Sequence, residues 1–220
     1  MRKVEVEVQP ELKIIRKQIP HILQAGEVGA VLELQVRDED GRVTEKRVLK
    51  SESFVRQFLE FLWVQMQWLP GVGATSIRSL NDAYEASVWG EFKNLDANAG
   101  IGVTGRGILV GTGTTAPAVD DYKMETQIAH GTGAGQLEYS AVTFGAPTSD
   151  ATTSQFTVTR NFANNSGGDI TVNEIGLAVC SYQSGNAEHN QLVVRDVIAG
   201  GIAVPNGQTL TVNYRIQAVV

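Results

Sequence analysis

Two charged side chains stand where apolar ones are expected. In FTVTRNFA, Phe156, Val158 and Phe162 share one side of an alternating run, and Arg160 takes the remaining place among them. In ITVNEIGLAV, Glu174 shares its side with Ile170 and Val172. The two runs flank the cluster NNSGGD, the pattern of a β-hairpin. Opposite charges on faces that are to be buried form either a ligand or catalytic site, or a lock. Pairing Arg160 with Glu174 across the hairpin sets Phe162 opposite Val172 and leaves NNSGGD as the loop. A bidentate Arg–carboxylate contact is geometrically specific, and a slip of one residue would turn every side chain to the wrong face. The register therefore predicts a structural salt bridge, with Arg195 of LVVRDVI joining it if that strand lies alongside. A carboxylate held by two arginines is a poor general acid.

Other reactive residues form no constellation. His21, His130 and His189 are far apart, and none has a metal-ligand spacing. No GxSxG elbow or SxxK signature occurs. The run His130-Gly131-Thr132-Gly133-Ala134-Gly135 lacks the lysine of a phosphate-binding loop and reads as a flexible loop. Asn164-Asn165-Ser166 fits a glycosylation sequon but is more simply turn chemistry. The single cysteine, Cys180, excludes an intrachain disulfide and reads as a small buried hydrophobe after IGLAV. The sequence predicts no catalytic residue, no metal site and no cofactor.

The elements that must position these residues divide by charge. Residues 1–100 carry 28 Lys, Arg, Asp and Glu, and residues 101–220 only 14. Two regions are expected, 1–100 and 101–220. The first holds a strand at Val4–Val8 and a hairpin made by Ala30–Val36 and Arg42–Leu49 around Asp38-Glu39-Asp40-Gly41. A helix follows from Phe54 to about Leu69, capped by Ser51 or Ser53 and stopped by Pro70-Gly71. Phe54, Phe58, Phe61, Leu62 and Trp68, with Trp63 widening the stripe, make it apolar over much of its circumference. It reads as core, with part of that surface available for assembly. Residues 71–107 read as loops and short strands. The second region predicts strands at Gly107–Gly113, Gln136–Phe144, the two hairpin runs, Leu192–Ile198 and Thr209–Val220, with a turn at Pro205-Asn206-Gly207. Short strands with a turn about every ten residues predict an antiparallel β-sandwich or jelly roll. The fold class is thus mainly β (α+β), with an N-terminal strand, a hairpin and one amphipathic helix.

The net charge of −6 argues against nucleic acid as a direct partner, because phosphate binding needs clustered Lys and Arg. MRKVEVEVQP lacks the apolar core of a signal peptide, and no run approaches a membrane span. The expectation is a chain made in a cytoplasm, with no membrane partner.

The run RNFANNSGGDITVNEIGLAV, then LVVRDVI, then a Gly turn and TLTVNYRIQ resembles a recurrent module of tailed-bacteriophage structural proteins. GILVGTGTTAPAVDDYKMETQIAHG and the helix entry KSESFVRQFLEFL are similar to the segments that precede it. The resemblance covers most of the chain, more firmly after Gly107. It implies a non-enzymatic virion subunit (a head decoration or vertex protein, or a neck or tail component) made in the host cytoplasm. Homo-oligomers and contacts with capsid or tail subunits go with it. The alternative is a receptor- or glycan-binding module of a tail appendage. Glycan binding uses exposed aromatics in a groove, whereas Trp63, Trp68 and Trp89 all precede residue 100, two of them in the apolar helix.

Overall fold

In the computed structural model, the described residues are 23–51, 53–67, 73–74, 77–81, 88–89, 95–182 and 188–220. The expected strand at Val4–Val8, His21, Trp68 and the Pro70-Gly71 stop lie outside them.

The first hairpin forms where the acidic turn predicts it. Strand β1 (Val28–Arg37) pairs with β2 (Val43–Ser51). Gly41 supplies φ of 78° at the turn, and the Asp38 carboxylate accepts from Arg42 N at 2.8 Å. Helix α1 (Arg56–Gln67) follows. Ser51 and Ser53 do not cap it. The Arg56 N–H, one of the donors a helix start leaves free, is taken by the Val119 carbonyl at 2.8 Å. A two-stranded ladder joins β3 (Gly73–Ala74) to β4 (Val88–Trp89).

Eight further strands follow among the described residues. They are β5 (Gly107–Gly111), β6 (Glu138–Tyr139), β7 (Thr143–Phe144), β8 (Thr148–Ser149), β9 (Thr153–Ala163), β10 (Ile170–Tyr182), β11 (Glu188–Val204) and β12 (Thr209–Val219). The first sheet has the order β2-β1-β12-β9-β6, with β7 and β8 also on β9; the second is β11-β10-β5. Every ladder is antiparallel. The two sheets pack face to face as a β-sandwich, and the fold is mainly β, with one helix among the described residues.

Two expectations are overturned. Strands β9 and β10 do not pair. β9 binds β12 in the first sheet, while β10 lies between β11 and β5 in the second. The connection is an arch, whose six residues step across the roughly 10 Å between packed sheets. Asn164 shapes it from within. Its amide donates to Gly168 O and Val204 O, and its carbonyl oxygen accepts from Ser166 N and Oγ. Asn164 is fully buried, so the sequon is turn chemistry and is closed to a glycan in the folded chain. The division at residue 100 fails as well. β1 pairs with β12 along ten positions, and one core cluster includes Leu32 and Leu34 together with Leu177, Val194 and Leu210. The charge asymmetry belongs to the surface and does not separate two cores.

The expected Gln136–Phe144 strand is split into β6 and β7. Its break has a physical cause: the Ser140 carbonyl turns to receive Arg160 Nε at 2.8 Å. The expected Leu192–Ile198 strand instead runs from Glu188 to Val204.

Candidate functional site

Alternation along β9 turns Arg160 inward on the first sheet, with Phe162 and Val158, and none of it is exposed. Among the described residues it has no carboxylate partner. Nε donates to Ser140 O, Nη1 to Arg106 O and Ile108 O, and Nη2 to Gly100 O and Val103 O, at 2.6–3.3 Å. Its guanidinium lies 4.7 Å from the centre of the Tyr139 ring, which meets Phe162 edge-on at 4.8 Å. Five backbone dipoles and one aromatic face thus balance a buried charge. Burial pulls the guanidinium's pKa down to about 10, so it stays charged at neutral pH. Tyr139 donates to Ile128 O at 2.6 Å, and burial pushes its hydroxyl up to about 12. The arginine gathers the otherwise ladder-free 100–106 stretch, β5 and the end of β6 around one group.

Glu174 lies in the other sheet, and its partner is Arg195 of neighbouring β11. Arg195 Nε donates to Glu174 Oε2 at 2.9 Å. The expected Arg160–Glu174 bridge is therefore absent, and the Glu174–Arg195 contact takes its place. Glu174 pairs with Val197 and Gly176 with Arg195 in the ladder, so both charges project from one face. Tyr214 on the first sheet donates to Asp196, which neighbours Arg195, so that face is the one turned away from the first sheet. Glu174 also accepts from Gly113 N, Glu125 N and Thr126 N. Arg195 further donates to Asp121 Oδ2 at 2.9 Å, Thr115 O at 3.1 Å and Glu125 Oε2 at 3.3 Å. Burial works against the charged form of Arg195, but its hydrogen bonds to Asp121 and Glu174 outweigh that and raise its pKa. With both oxygens filled by four donors, Glu174 has no open position for a substrate proton.

A fourth buried charge, Asp196, carried no expectation. Asp196 accepts from Ser51 Oγ at 2.7 Å and from Tyr214 OH, tying β2, β11 and β12 together. Burial, then the neighbouring carboxylate, pushes Tyr214 well above its usual value. Ser51 Oγ donates to the carboxylate directly, with no histidine between them among the described residues. Asp196 is adjacent to Arg195 in LVVRDVI, and that adjacency was the one available signal.

Comparison with protein-family models, with curated proteins and with solved structures finds no match.

The remaining candidates are dispersed. His130 Nδ1 accepts from Tyr139 N at 3.0 Å, which fixes the ring beside Gly102. His189 lies on β11 opposite Ser181. Cys180 is buried, and burial raises its thiol pKa, which suits a packing residue. Two of the depressions among the described residues, of about 380 and 430 Å³, are lined around Leu23, Lys50 and Phe54, and around Gly102, Gln127 and His130. Neither is lined by Arg160, Glu174, Arg195 or Asp196. On α1, Phe61 is fully buried and Leu62 half-buried, while Phe58 meets Phe54, just before the helix, at 4.6 Å, both against the core. The expected assembly face is thus turned inward where it is described. Among the described side chains of α1, Leu59, Trp63 and Met66 are exposed instead, one row along the helix.

Proposed function

We propose that this chain is a non-enzymatic structural subunit of a tailed-bacteriophage virion, packing on itself and on capsid or tail subunits. The observation that carries the reading is the placement of its buried charges. Arg160 binds backbone carbonyls, Glu174 and Arg195 bind each other and the 112–126 loop, Asp196 binds side chains of the facing sheet, and none lines either depression. Such groups set chain geometry, whereas a catalytic site needs perturbed groups converging on a pocket. The strand patterns that resemble the phage module fall on β9 to β12, the long strands of both sheets. The outward row Leu59, Trp63 and Met66 adds apolar surface of the kind that subunit contacts cover.

Cryo-electron microscopy of the particle, together with sedimentation of the isolated chain at micromolar concentration, tests this. The expected result is a homo-oligomer, or binding to particles that lack the protein. A clean monomer that binds no such particle would refute it, and so would a reproducible turnover abolished by changing His130 or Glu174.

A further inference from the structure

The segment between Thr112 and Thr126 leaves β5 and returns to its own start. Thr112 N donates to Thr126 O at 2.8 Å, closing an Ω-type loop. It crosses the outer face of the second sheet, where Gly176 makes room for it. A Cβ at Gly176 would stand 2.5 Å from Met124 Sδ. Met124 is the only residue of 112–126 in the core cluster, and Thr114–Ala116 and Ala118–Asp120 are exposed.

What fastens the segment is concentrated. Gly113 N, Glu125 N and Thr126 N donate to Glu174, and Asp121, Thr115 O and Glu125 accept from Arg195. Glu125 also accepts from Thr115 N and Oγ1, which folds the segment on itself and holds its carboxyl below the usual range. Away from that ion pair, three contacts to other elements stand out. Asn173 donates to Thr112 O, Arg56 N donates to Val119 O, and Arg78 lies over the Tyr122 ring at 3.8 Å. The glycines at its entry are closely packed. A Cβ at Gly111 would come within 2.4 Å of Glu174 Oε1, and one at Gly113 within 2.6 Å of Glu125 and Glu174.

We propose that residues 112–126 form a strap latched by the Glu174–Arg195 ion pair, and that the strap lifts as one unit while the sandwich stays folded. A segment with one buried apolar anchor and its polar contacts gathered on one pair has the makings of a separate low-stability unit. The proposal is independent of the virion reading, since it concerns how the chain opens and not what it binds.

Hydrogen exchange read by mass spectrometry on the full chain at neutral pH tests it. In Glu174→Gln and Arg195→Met, exchange in peptides covering 112–126 should quicken at least roughly tenfold. Peptides from β9 and β12 should exchange as in the parent. Should a variant fail to fold, the parent in low urea carries the test: strap exchange should be independent of urea while β12 exchange rises with it. An unchanged strap in both variants would overturn the proposal. So would acceleration spread evenly over β9 and β12, or strap exchange in the parent that follows global unfolding.

Discussion

Arg160 and Arg195 each sit on a long alternating strand and each is almost wholly removed from water, yet they are neutralised in opposite ways. Arg160 meets five carbonyls and an aromatic face, with no carboxylate among the described residues. Arg195 meets Glu174, Asp121 and Glu125. The carbonyl cage organises chain that lacks ladders of its own, between the two sheets. The carboxylate cluster lies on an outer face and fastens one loop. Removing the first should loosen the sandwich itself, while removing the second should release mainly the strap.

The largest expected effect follows from Arg160→Met. Several buried carbonyls lose their donor, at about 1–3 kcal/mol each before relaxation, so a loss of roughly 3 kcal/mol or more is expected in a thermal melt. If Arg160→Met melts like the parent, the cage does not hold the sandwich together. Arg195→Met comes next. Glu174 keeps three N–H donors and can rehydrate as the strap lifts, so about 2 kcal/mol is expected, below the usual 3–5 for an orphaned buried charge. The double variant Glu174→Leu with Arg195→Met should recover part of that loss. A double variant worse than the sum of its parts would mean that the pair stabilises more than its desolvation costs.

Gly113→Ala sharpens the contrast at smaller scale. Its new methyl must displace Glu125 and Glu174 atoms 2.6 Å away, at a cost of about 1–2 kcal/mol, while peptides from β9 keep their protection. The smallest effect concerns Tyr139, whose proton is held more tightly folded than unfolded. That contribution is complete below its ordinary value of 10 and is lost as pH rises towards about 12. The lowered value of Arg160 acts in the opposite sense at high pH, so ultraviolet titration is the cleaner measurement. Tyr139→Phe should remove one tyrosinate's absorbance from the late alkaline step.

How much of this was legible depends on the interaction. Alternation marks which residues share a face, and it located β9, β10 and β12, the β1–β2 hairpin and the Pro205-Asn206-Gly207 turn, where Gly207 has φ of 82°. Alternation says nothing about which strand lies alongside. A hairpin and an arch share the same pattern on either side of NNSGGD, so Arg160 and Glu174 were matched by charge when they belong to different sheets. Arg195 was legible as a partner of Glu174 because the two are complementary side chains. The Arg160 cage was not, since a backbone carbonyl leaves no trace in residue type. Ser51 shows the same limit: as a helix cap it satisfied a local rule, whereas its hydroxyl binds Asp196 on a distant strand.

The most direct test of the central contrast is equilibrium urea unfolding of Arg160→Lys beside Arg195→Lys, followed by far-ultraviolet circular dichroism. Lysine keeps the charge but not the planar fork that reaches several acceptors at once. The account predicts a clearly lowered midpoint with an unchanged slope for Arg160→Lys, and a midpoint close to the parent's for Arg195→Lys. A larger midpoint shift in Arg195→Lys than in Arg160→Lys would contradict it.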